Sequence, residues 1–269
     1  MTARPLALIT GASAGIGAEF ARQLAADGYD LALTARRRDR LHQLGEELST
    51  SHGIDHLVIP TDLAEEDGVG TVVEAIAESG RTVDLLINNA GFAIAGHYHA
   101  TEWAEQARFL QVMVTAVAEL SHRILPAMRA QGRGGIVNVA SLAGIVPGSA
   151  GHTLYAASKA FLIRFSESLA MENADQGIRV QALCPGFTYS EFHDVVGTRD
   201  IVAQLPSYMW MEADKVVSFS LDQLQRANAP VMAVPGTTNR LIAALSRKLP
   251  YRAAFDLVRR RSGDFRRQD

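Results

Sequence analysis

The chain has 269 residues, 48% of them hydrophobic, a formal net charge of −3 and a single cysteine, Cys184. This length and apolar content suffice for one large core, so we expect a single α/β domain over residues 1–269. The lone cysteine excludes an internal disulfide, and no apolar run approaches the roughly 20 residues of a membrane span. Residues 1–4 lead into a strand without a signal peptide. Together these observations predict a reduced, cytoplasmic setting.

Apolar strand runs alternate with helical stretches along the whole chain. The predicted strands lie near residues 5–10, 30–35, 56–60, 83–88, 134–140, 178–184 and 231–235. The predicted helices lie near residues 15–27, 38–50, 65–79, 101–131, 152–175 and 212–226, with further helix beyond 237. Strands with continuously apolar runs, such as 31–33 and 85–87, indicate burial on both faces. This alternation predicts a doubly wound, mostly seven-stranded parallel sheet with helices on both faces.

A glycine-rich turn separates the first predicted strand from the first predicted helix. Residues 11–17 read Gly-Ala-Ser-Ala-Gly-Ile-Gly. Glycines let the backbone approach a pyrophosphate, and the N-terminus of a helix offers unpaired N–H groups at the positive end of its dipole. Strand, turn and helix in this order predict a dinucleotide site. Its expected contacts are Gly11, Ser13, Ala14, Gly15, Ile16 and Gly17.

The second predicted strand ends in Ala35, and three arginines follow it. Sites selective for the unphosphorylated dinucleotide usually place a carboxylate at this position, where it bonds the ribose 2′-OH and repels a 2′-phosphate. Here Ala35 leaves the position uncharged, and the planar guanidinium of Arg36 suits a phosphate. We therefore predict NADP as the coenzyme, held through Arg36. The alternative is that residues 36–38 merely begin a solvated helix.

A tyrosine and a lysine stand one helical turn apart, at Tyr155 and Lys159, and Ser141 precedes them. Positions i and i+4 share one face of a helix, so the lysine ammonium can approach the phenol. A free tyrosine has a pKa near ~10, and a nearby positive charge lowers it. The pair therefore predicts an acid/base group, although a Tyr-x-x-x-Lys spacing alone often occurs by chance.

Five motifs, taken in order, resemble the single-domain short-chain dehydrogenase/reductase family over about residues 5–190. They are the glycine turn, Asp62-Leu63, Asn88-Asn89-Ala90-Gly91, the Ser/Tyr/Lys set and Pro185-Gly186. The resemblance implies a Rossmann-type fold and hydride transfer between a nicotinamide and a carbonyl or alcohol carbon. Because loops that follow parallel strands meet at one edge of the sheet, the five motifs should converge there.

The resemblance also implies a role for each residue. Tyr155 exchanges a proton with the substrate oxygen, Ser141 hydrogen-bonds that oxygen, and Lys159 holds the nicotinamide ribose and lowers the pKa of the tyrosine. The implied coenzyme contacts are Asp62 at the adenine, Asn88 and Ala90 along the adenosine and ribose path, Ser190 at the carboxamide, and Leu63, Asn89, Gly91, Pro185, Gly186 and Thr188.

One position departs from the family pattern. Met113 stands where the family usually carries an asparagine that holds a water between the lysine and solvent. A thioether is at best a weak acceptor, although the backbone carbonyl of Met113 could still hold that water. Two interpretations stay open: a working oxidoreductase, and a coenzyme-binding regulatory or scaffold protein with lost or weak activity. A sugar epimerase or dehydratase shares the Tyr/Lys pair, but the C-terminal region is too short for a nucleotide-sugar domain.

The substrate and partners depend on less patterned segments. Residues 187–211 are rich in apolar side chains and predict a lid over an apolar ketone or alcohol; packing on the sheet or on a partner subunit explains them equally well. His152 could border the substrate. Two helices that are apolar around most of their circumference favour a homodimer or homotetramer. No histidine has companions at metal-ligand spacing, and we expect neither a metal nor a nucleic-acid partner.

The C-terminal tail, about residues 246–269, is basic. Residues 247–267 hold eight Lys and Arg against two Asp, which leaves the rest of the chain acidic. An amphipathic helix near residues 253–261 would contact an anionic membrane surface weakly or an acidic face of a neighbouring subunit. A solvated tail is the third alternative.

Overall fold

The computed structural model describes residues 4–94, 96–151, 153–191 and 206–261. The strands of its main sheet are β1 (Leu6–Thr10), β2 (Asp30–Ala35), β3 (His56–Pro60), β4 (Val83–Asn88), β5 (Gly134–Val139), β6 (Ile178–Leu183) and, later in the chain, β9 (Met232–Ala233). These seven strands are parallel and lie in the order β3-β2-β1-β4-β5-β6-β9. The predicted seven-stranded, doubly wound sheet is therefore confirmed.

The helices follow the strands closely. They are α1 (Gly15–Ala26), α2 (Arg38–His52), α3 (Gly68–Glu78), α4 (Trp103–Leu110), α5 (Ala116–Gln131), α6 (Thr153–Glu172), α7 (Ala213–Gln225), α8 (Thr237–Lys248) and α9 (Tyr251–Arg261). None of them is long and apolar enough to cross a bilayer, within the ranges given above.

The core has two layers, one on each face of the sheet. Alternate residues of β1 point to opposite faces, so Ile9 packs with helices α1, α2 and α7, while Leu8 packs with α3 and α5. Both side chains are fully buried. A parallel strand covered on both faces is apolar at most positions, which explains the continuous hydrophobic runs in the sequence.

Two features of the fold were not predicted. The expected single helix over 101–131 is interrupted by a π-helical turn, Gln111–Thr115, between α4 and α5. Two short strands, β7 (Phe187–Thr188) and β8 (Trp210–Met211), pair in parallel as a separate small sheet at the two ends of the predicted lid. The intervening residues 192–205, together with His152 and the tail beyond residue 261, lie outside the described residues.

The strand order reverses between β1 and β4, and the chain segments that follow these two strands touch. Gly11 has φ +67°, and a Cβ there would lie 2.8 Å from the Cα of Ala90. Thr10 fixes this approach, because its Oγ1 accepts hydrogen bonds of 2.9 Å from the backbone N–H groups of Asn89 and Ala90. In open α/β sheets, ligands bind in the crevice at such a reversal.

A buried amide network joins the centre of the sheet to the helices over it. Asn88 donates to the side-chain oxygens of Asn138, at 2.8 Å, and Ser121, at 3.2 Å. Asn138 in turn donates to Ser166 Oγ at 2.9 Å. The network thereby connects β4 and β5 to α5 and α6. Because α6 carries Tyr155 and Lys159, the network also fixes where those side chains lie.

We expect Asn138→Ala to lower the free energy of unfolding by about 2–4 kcal/mol, because it removes two buried hydrogen bonds and leaves a cavity. Urea denaturation measures this change. The matched control is Asn228→Ala, at an exposed position, where about 0.5 kcal/mol or less is expected. A loss at Asn138 no greater than that of the control would contradict a structural role for the network.

Candidate active site

A cleft of about 910 Å³ lies along the carboxyl edge of the sheet. It is lined by nearly all of the residues that the sequence predicted for coenzyme binding and catalysis: Gly11, Ser13, Ala14, Gly15, Ile16, Arg36, Asp62, Leu63, Asn89, Ala90, Gly91, Ser141, Tyr155, Lys159, Pro185, Gly186 and Thr188. Ser190 also lines it. The five motifs therefore converge in space, as expected for loops that follow parallel strands.

Two predicted residues do not line the cleft. Gly17 lies behind the turn, where a Cβ would stand 2.4 Å from both the Gly11 oxygen and Asn89 Nδ2. Asn88 is only 2% exposed and belongs to the amide network, so its predicted place on the adenosine path is wrong. Asn88 ends β4 inside the sheet, whereas the residues after it reach the edge.

The glycine turn presents bare backbone to the cleft. Gly15 has φ +55°, and a Cβ there would come within 3.1 Å of the Ser190 side chain. Ala14, the N-cap residue of α1, gives the helix no side-chain hydrogen bond. The first N–H groups of α1 thus lack a side-chain cap at the point where the cleft passes, and this is the arrangement that a pyrophosphate requires. The residues present fit a dinucleotide.

Beyond β2, the arginines at the end of the cleft differ in their partners. Arg37 donates to Ser13 Oγ at 3.0 Å and to Glu191 at 2.8 Å, and Arg40 pairs with Glu191 at 2.7 Å. These two guanidinium groups lower the pKa of the Glu191 carboxyl. Arg36 is exposed in the cleft and makes no hydrogen bond or ion pair with any described residue.

Asp62, the predicted adenine contact, is also partly engaged. One of its carboxylate oxygens accepts the backbone N–H of Ala64 at 2.9 Å, and the other pairs with Arg108 at 2.9 Å. Arg108 also bonds Glu65 at 3.0 Å. Both Asp62 and Arg108 line the cleft, so this ion pair borders the space on the β3 side.

The three catalytic candidates come together around the end of β5. Ser141 follows β5 and hydrogen-bonds the Tyr155 phenol, while its Oγ accepts the Ala143 N–H at 3.1 Å. Lys159 lies one turn after the tyrosine on α6, with its Nζ 5.5 Å from the tyrosine ring centroid. That Nζ donates to the Val139 carbonyl at 2.7 Å, and the side chain is 6% exposed.

Burial controls the acidity of this group. Loss of solvent raises the pKa of Tyr155 to about 12, against the opposing effect of its hydrogen bond to Ser141. Loss of solvent also lowers the pKa of Lys159 to about 8. The sequence predicted a lowered tyrosine pKa, and for the protein without coenzyme this is wrong, because desolvation of the phenolate outweighs the hydrogen bond with Ser141.

Met113 lies in the π-helical turn, where Ala116 donates its N–H to the Gln111 carbonyl. Its side chain is 1% exposed, and its sulfur would lie 2.9 Å from a Cβ built on Gly91. The neighbouring Val112 lines the cleft and Met113 does not. The position that usually carries a polar relay residue is therefore filled by apolar packing against the Asn-Asn-Ala-Gly turn.

Apart from Phe187, which begins the predicted lid, the sequence did not single out the residues of the apolar part of the cleft. The apolar part is lined by Phe92, Val112, Leu142, Val146, Pro147 and Phe187, and Val258 of α9 also reaches it. The position of Phe92, directly after the Asn-Asn-Ala-Gly motif, could have identified it. Val258 gives no such signal, because only the tertiary fold brings α9 to the cleft.

The apolar side chains at the ends of the predicted lid pack on one another. Trp210 stacks on Tyr189 with ring centroids 4.7 Å apart, and it contacts Phe187 at 5.5 Å. The small β7–β8 sheet holds these rings together. Across the described ranges, no group of three or more His, Cys, Asp and Glu could hold a metal ion.

Comparison with known proteins agrees with this geometry. A family model described as short chain dehydrogenase matches residues 5–200. The sulfoacetaldehyde reductase of Chromohalobacter salexigens is 38% identical over 189 residues, which cover 68% of this chain and 72% of the relative.

Two solved structures are similar over most of the chain. A short-chain dehydrogenase from Sphingobium yanoikuyae in complex with NADPH is 32% identical, with a TM-score of 0.80 over 91% of this chain and 96% of that one. The bulky-bulky ketone specific alcohol dehydrogenase from Comamonas testosteroni is 28% identical, with a TM-score of 0.74 over 91% and 95%. With its seven-stranded parallel sheet and converging motifs, the chain belongs to the short-chain dehydrogenase/reductase family of oxidoreductases.

Proposed function

We propose that the protein is an NADP(H)-dependent carbonyl reductase or alcohol dehydrogenase that acts on an apolar ketone or secondary alcohol. The observation that carries this proposal is the Ser141–Tyr155 hydrogen bond, with Lys159 buried beneath it, inside a cleft whose other end is the glycine turn. A coenzyme in this cleft supplies or accepts a hydride at the carbonyl carbon.

The protein's own residues handle the proton. Ser141 donates to the substrate oxygen and fixes its position, and Tyr155 gives its phenolic proton to that oxygen as negative charge develops there. In the oxidative direction Tyr155 removes the same proton. The Lys159 ammonium lies close enough to stabilise the tyrosinate that results, because burial weakens the screening by water.

The preference for NADP(H) rests on charge at the end of β2. Ala35 provides no carboxylate to repel a 2′-phosphate, and Arg36 offers a guanidinium with no partner among the described residues. Glu191, by contrast, already engages Arg37 and Arg40. The Sphingobium yanoikuyae relative was solved with NADPH, which supports the same coenzyme here.

The substrate class rests on the apolar part of the cleft. Side chains such as Phe92, Val146 and Phe187 line the same cleft as Tyr155. The Comamonas testosteroni relative is described as specific for bulky-bulky ketones, and this supports a ketone flanked by two sizeable apolar groups. Oxidation of NADPH, followed with a panel of aryl and alkyl ketones of increasing size, tests the proposal. Absence of turnover across the panel and its matching alcohols would contradict it.

We also propose a homodimer or homotetramer. Trp103 of α4 and Met171 of α6 are 64% and 72% exposed, and Phe161 of α6 is 37% exposed. Apolar side chains on neighbouring helices of this kind are commonly covered by a second subunit. The proposed setting stays the cytoplasm.

Tyr155→Phe should lower kcat by at least about 100-fold, because it removes the proton that general acid catalysis requires. The dissociation constant for NADPH should change less than about threefold, a difference of ~0.6 kcal/mol. Steady-state kinetics and fluorescence titration measure the two quantities. The matched control, Tyr251→Phe on α9, lies at an exposed position and should retain full activity. Substantial turnover by Tyr155→Phe would rule out the assigned acid.

Arg36→Asp should reverse the preference for NADP(H) over NAD(H), since a charge-assisted hydrogen bond to phosphate contributes about 1.5–3 kcal/mol, or roughly 10- to 150-fold. Both dissociation constants are measured at one salt concentration. Arg38→Asp makes the same charge change two residues later, at an exposed position outside the cleft, and should leave the ratio nearly unchanged. Equal responses of the two variants would indicate a general charge effect instead.

Met113→Asn should destabilise the protein by about 1–3 kcal/mol and should not raise kcat, because the amide would be buried where the thioether now packs against Gly91. Met113→Leu is the matched control, with a similar volume and no new polar group. Thermal melting and kinetics decide the outcome. A higher kcat for the asparagine variant at unchanged stability would show that the wild-type protein lacks a polar relay. An inactive wild type would favour the scaffold interpretation.

A further inference from the structure

The last two helices of the described chain expose an apolar surface. Six large side chains on α8, α9 and the residues joining them are between 39% and 74% exposed: Leu241, Leu245, Leu249, Tyr251, Phe255 and Leu257. We call these six side chains the C-terminal face. They are half of the exposed large apolar side chains among the described residues. A concentration of this kind marks a surface that another phase or molecule covers.

The same segment is strongly basic, whereas the rest of the chain is acidic. Residues 237–261 have a net charge of +6, which leaves −9 on the remainder of the chain. The exposed basic side chains are Arg240, Arg247, Lys248, Arg252, Arg259 and Arg260. Asp256 is the one acidic residue in this segment, and it pairs with Arg259 at 3.1 Å. Exposed apolar and basic side chains thus lie on the same two helices.

This charge indicates what covers the C-terminal face. In a symmetric contact between two copies the same patch meets itself, so +6 would lie against +6. An anionic bilayer offers the complementary combination, since acyl chains receive the apolar side chains while lipid phosphates attract Lys and Arg. Arginine and lysine side chains at the edge of an inserted apolar surface can extend back to the headgroups.

One helix of the segment that carries the C-terminal face also reaches the cleft. Val258 of α9 lines the cleft, one residue from Leu257. Helix α8 also contacts the short turn Ser207–Met209, whose Tyr208 is 69% exposed. A surface lying against this face would therefore border one side of the cleft.

We propose that the C-terminal face docks onto anionic lipid bilayers and places one side of the cleft at the membrane, so that an apolar carbonyl compound enters from the lipid. The docking depends only on the surface described above, whereas the entry of substrate rests on the proposed function. If the protein docks onto the bilayer but reduces no ketone, the docking proposal stands and the entry of substrate from the lipid is contradicted.

Cosedimentation of the full chain with vesicles tests the docking. Vesicles of phosphatidylcholine with phosphatidylglycerol should retain the protein at about 0.05 M NaCl and release most of it at about 0.5 M, where the screening length falls to roughly 4 Å. Vesicles of phosphatidylcholine alone should retain much less. Failure to sediment with the anionic vesicles at low salt would overturn the proposal.

Two double variants identify the surface. Arg247→Glu/Arg252→Glu should weaken partitioning onto anionic vesicles by at least about tenfold. Each basic residue near an anionic surface strengthens this partitioning by on the order of tenfold or less, and reversing its charge adds repulsion. Arg22→Glu/Arg226→Glu makes the same charge change at exposed sites on α1 and next to α7 and should have a much smaller effect. Equal losses in the two variants would overturn the assignment to the C-terminal face.

Leu245→Gln/Tyr251→Gln removes apolar groups without altering charge, and it should also weaken partitioning. The molar mass in solution, measured by light scattering, should stay that of the wild type. A fall in molar mass would show that a second copy covers this face, and that would overturn membrane docking. All variants should keep the NADPH affinity of the wild type without vesicles, which shows that they are folded.

A label measures contact with the lipid directly. Cys184, the single cysteine, is buried, so Leu257→Cys can be labelled selectively with a fluorescent probe. Lipids that carry a quencher in the acyl chain should quench this probe and leave a probe at Asp39→Cys, on α2, largely unquenched. Equal quenching at the two positions would overturn the proposed orientation.

Discussion

Burial of Lys159 against the end of β5 is the constraint on which the rest of the site depends. Its Nζ donates to the Val139 carbonyl at 2.7 Å, and this bond ties α6 to the sheet at the point where Ser141 follows β5. Tyr155, one turn earlier, is thereby held at Ser141. The same loss of solvent makes charge costly, which lowers the pKa of Lys159 to about 8 and raises that of Tyr155 to about 12. Without coenzyme the site residues are already in place, but the Tyr155 phenol holds its proton tightly.

The sheet brings the predicted coenzyme site to the same edge as the buried Lys159. Close contact between Gly11 and Ala90 brings the segments after β1 and β4 together, so a dinucleotide on the glycine turn would extend from Arg36 towards Lys159. The positive charge of an oxidised nicotinamide would then lie beside the phenol and favour its ionised form. The Asn88–Asn138–Ser166 network stabilises the same strands and α6 from within the core. In the proposed function, coenzyme binding and proton transfer are thus linked through one sheet edge.

Much of this could be predicted from the sequence because it follows from local patterns. Strands buried on both faces are continuously apolar, and the glycine turn, Tyr155 and Lys159 lie at spacings set by backbone geometry. What could not be predicted depends on tertiary contact. The pKa of Tyr155 depends on how much water the fold excludes, Val258 reaches the cleft from a distant helix, and Glu191 meets Arg37 across more than 150 residues of sequence.

The ionisation of Tyr155 with and without NADP⁺ tests this account most directly. The ultraviolet absorbance of phenolate is recorded against pH for the wild type and for Tyr155→Phe. The difference between the two curves reports the ionisation of Tyr155 alone. A pKa of about 12 predicts that no more than roughly a tenth of it is ionised at about pH 11 in the free protein. Saturating NADP⁺ should move the transition to lower pH. A transition near the ordinary value of ~10 that NADP⁺ leaves unchanged would contradict the control of the acid by burial and coenzyme charge.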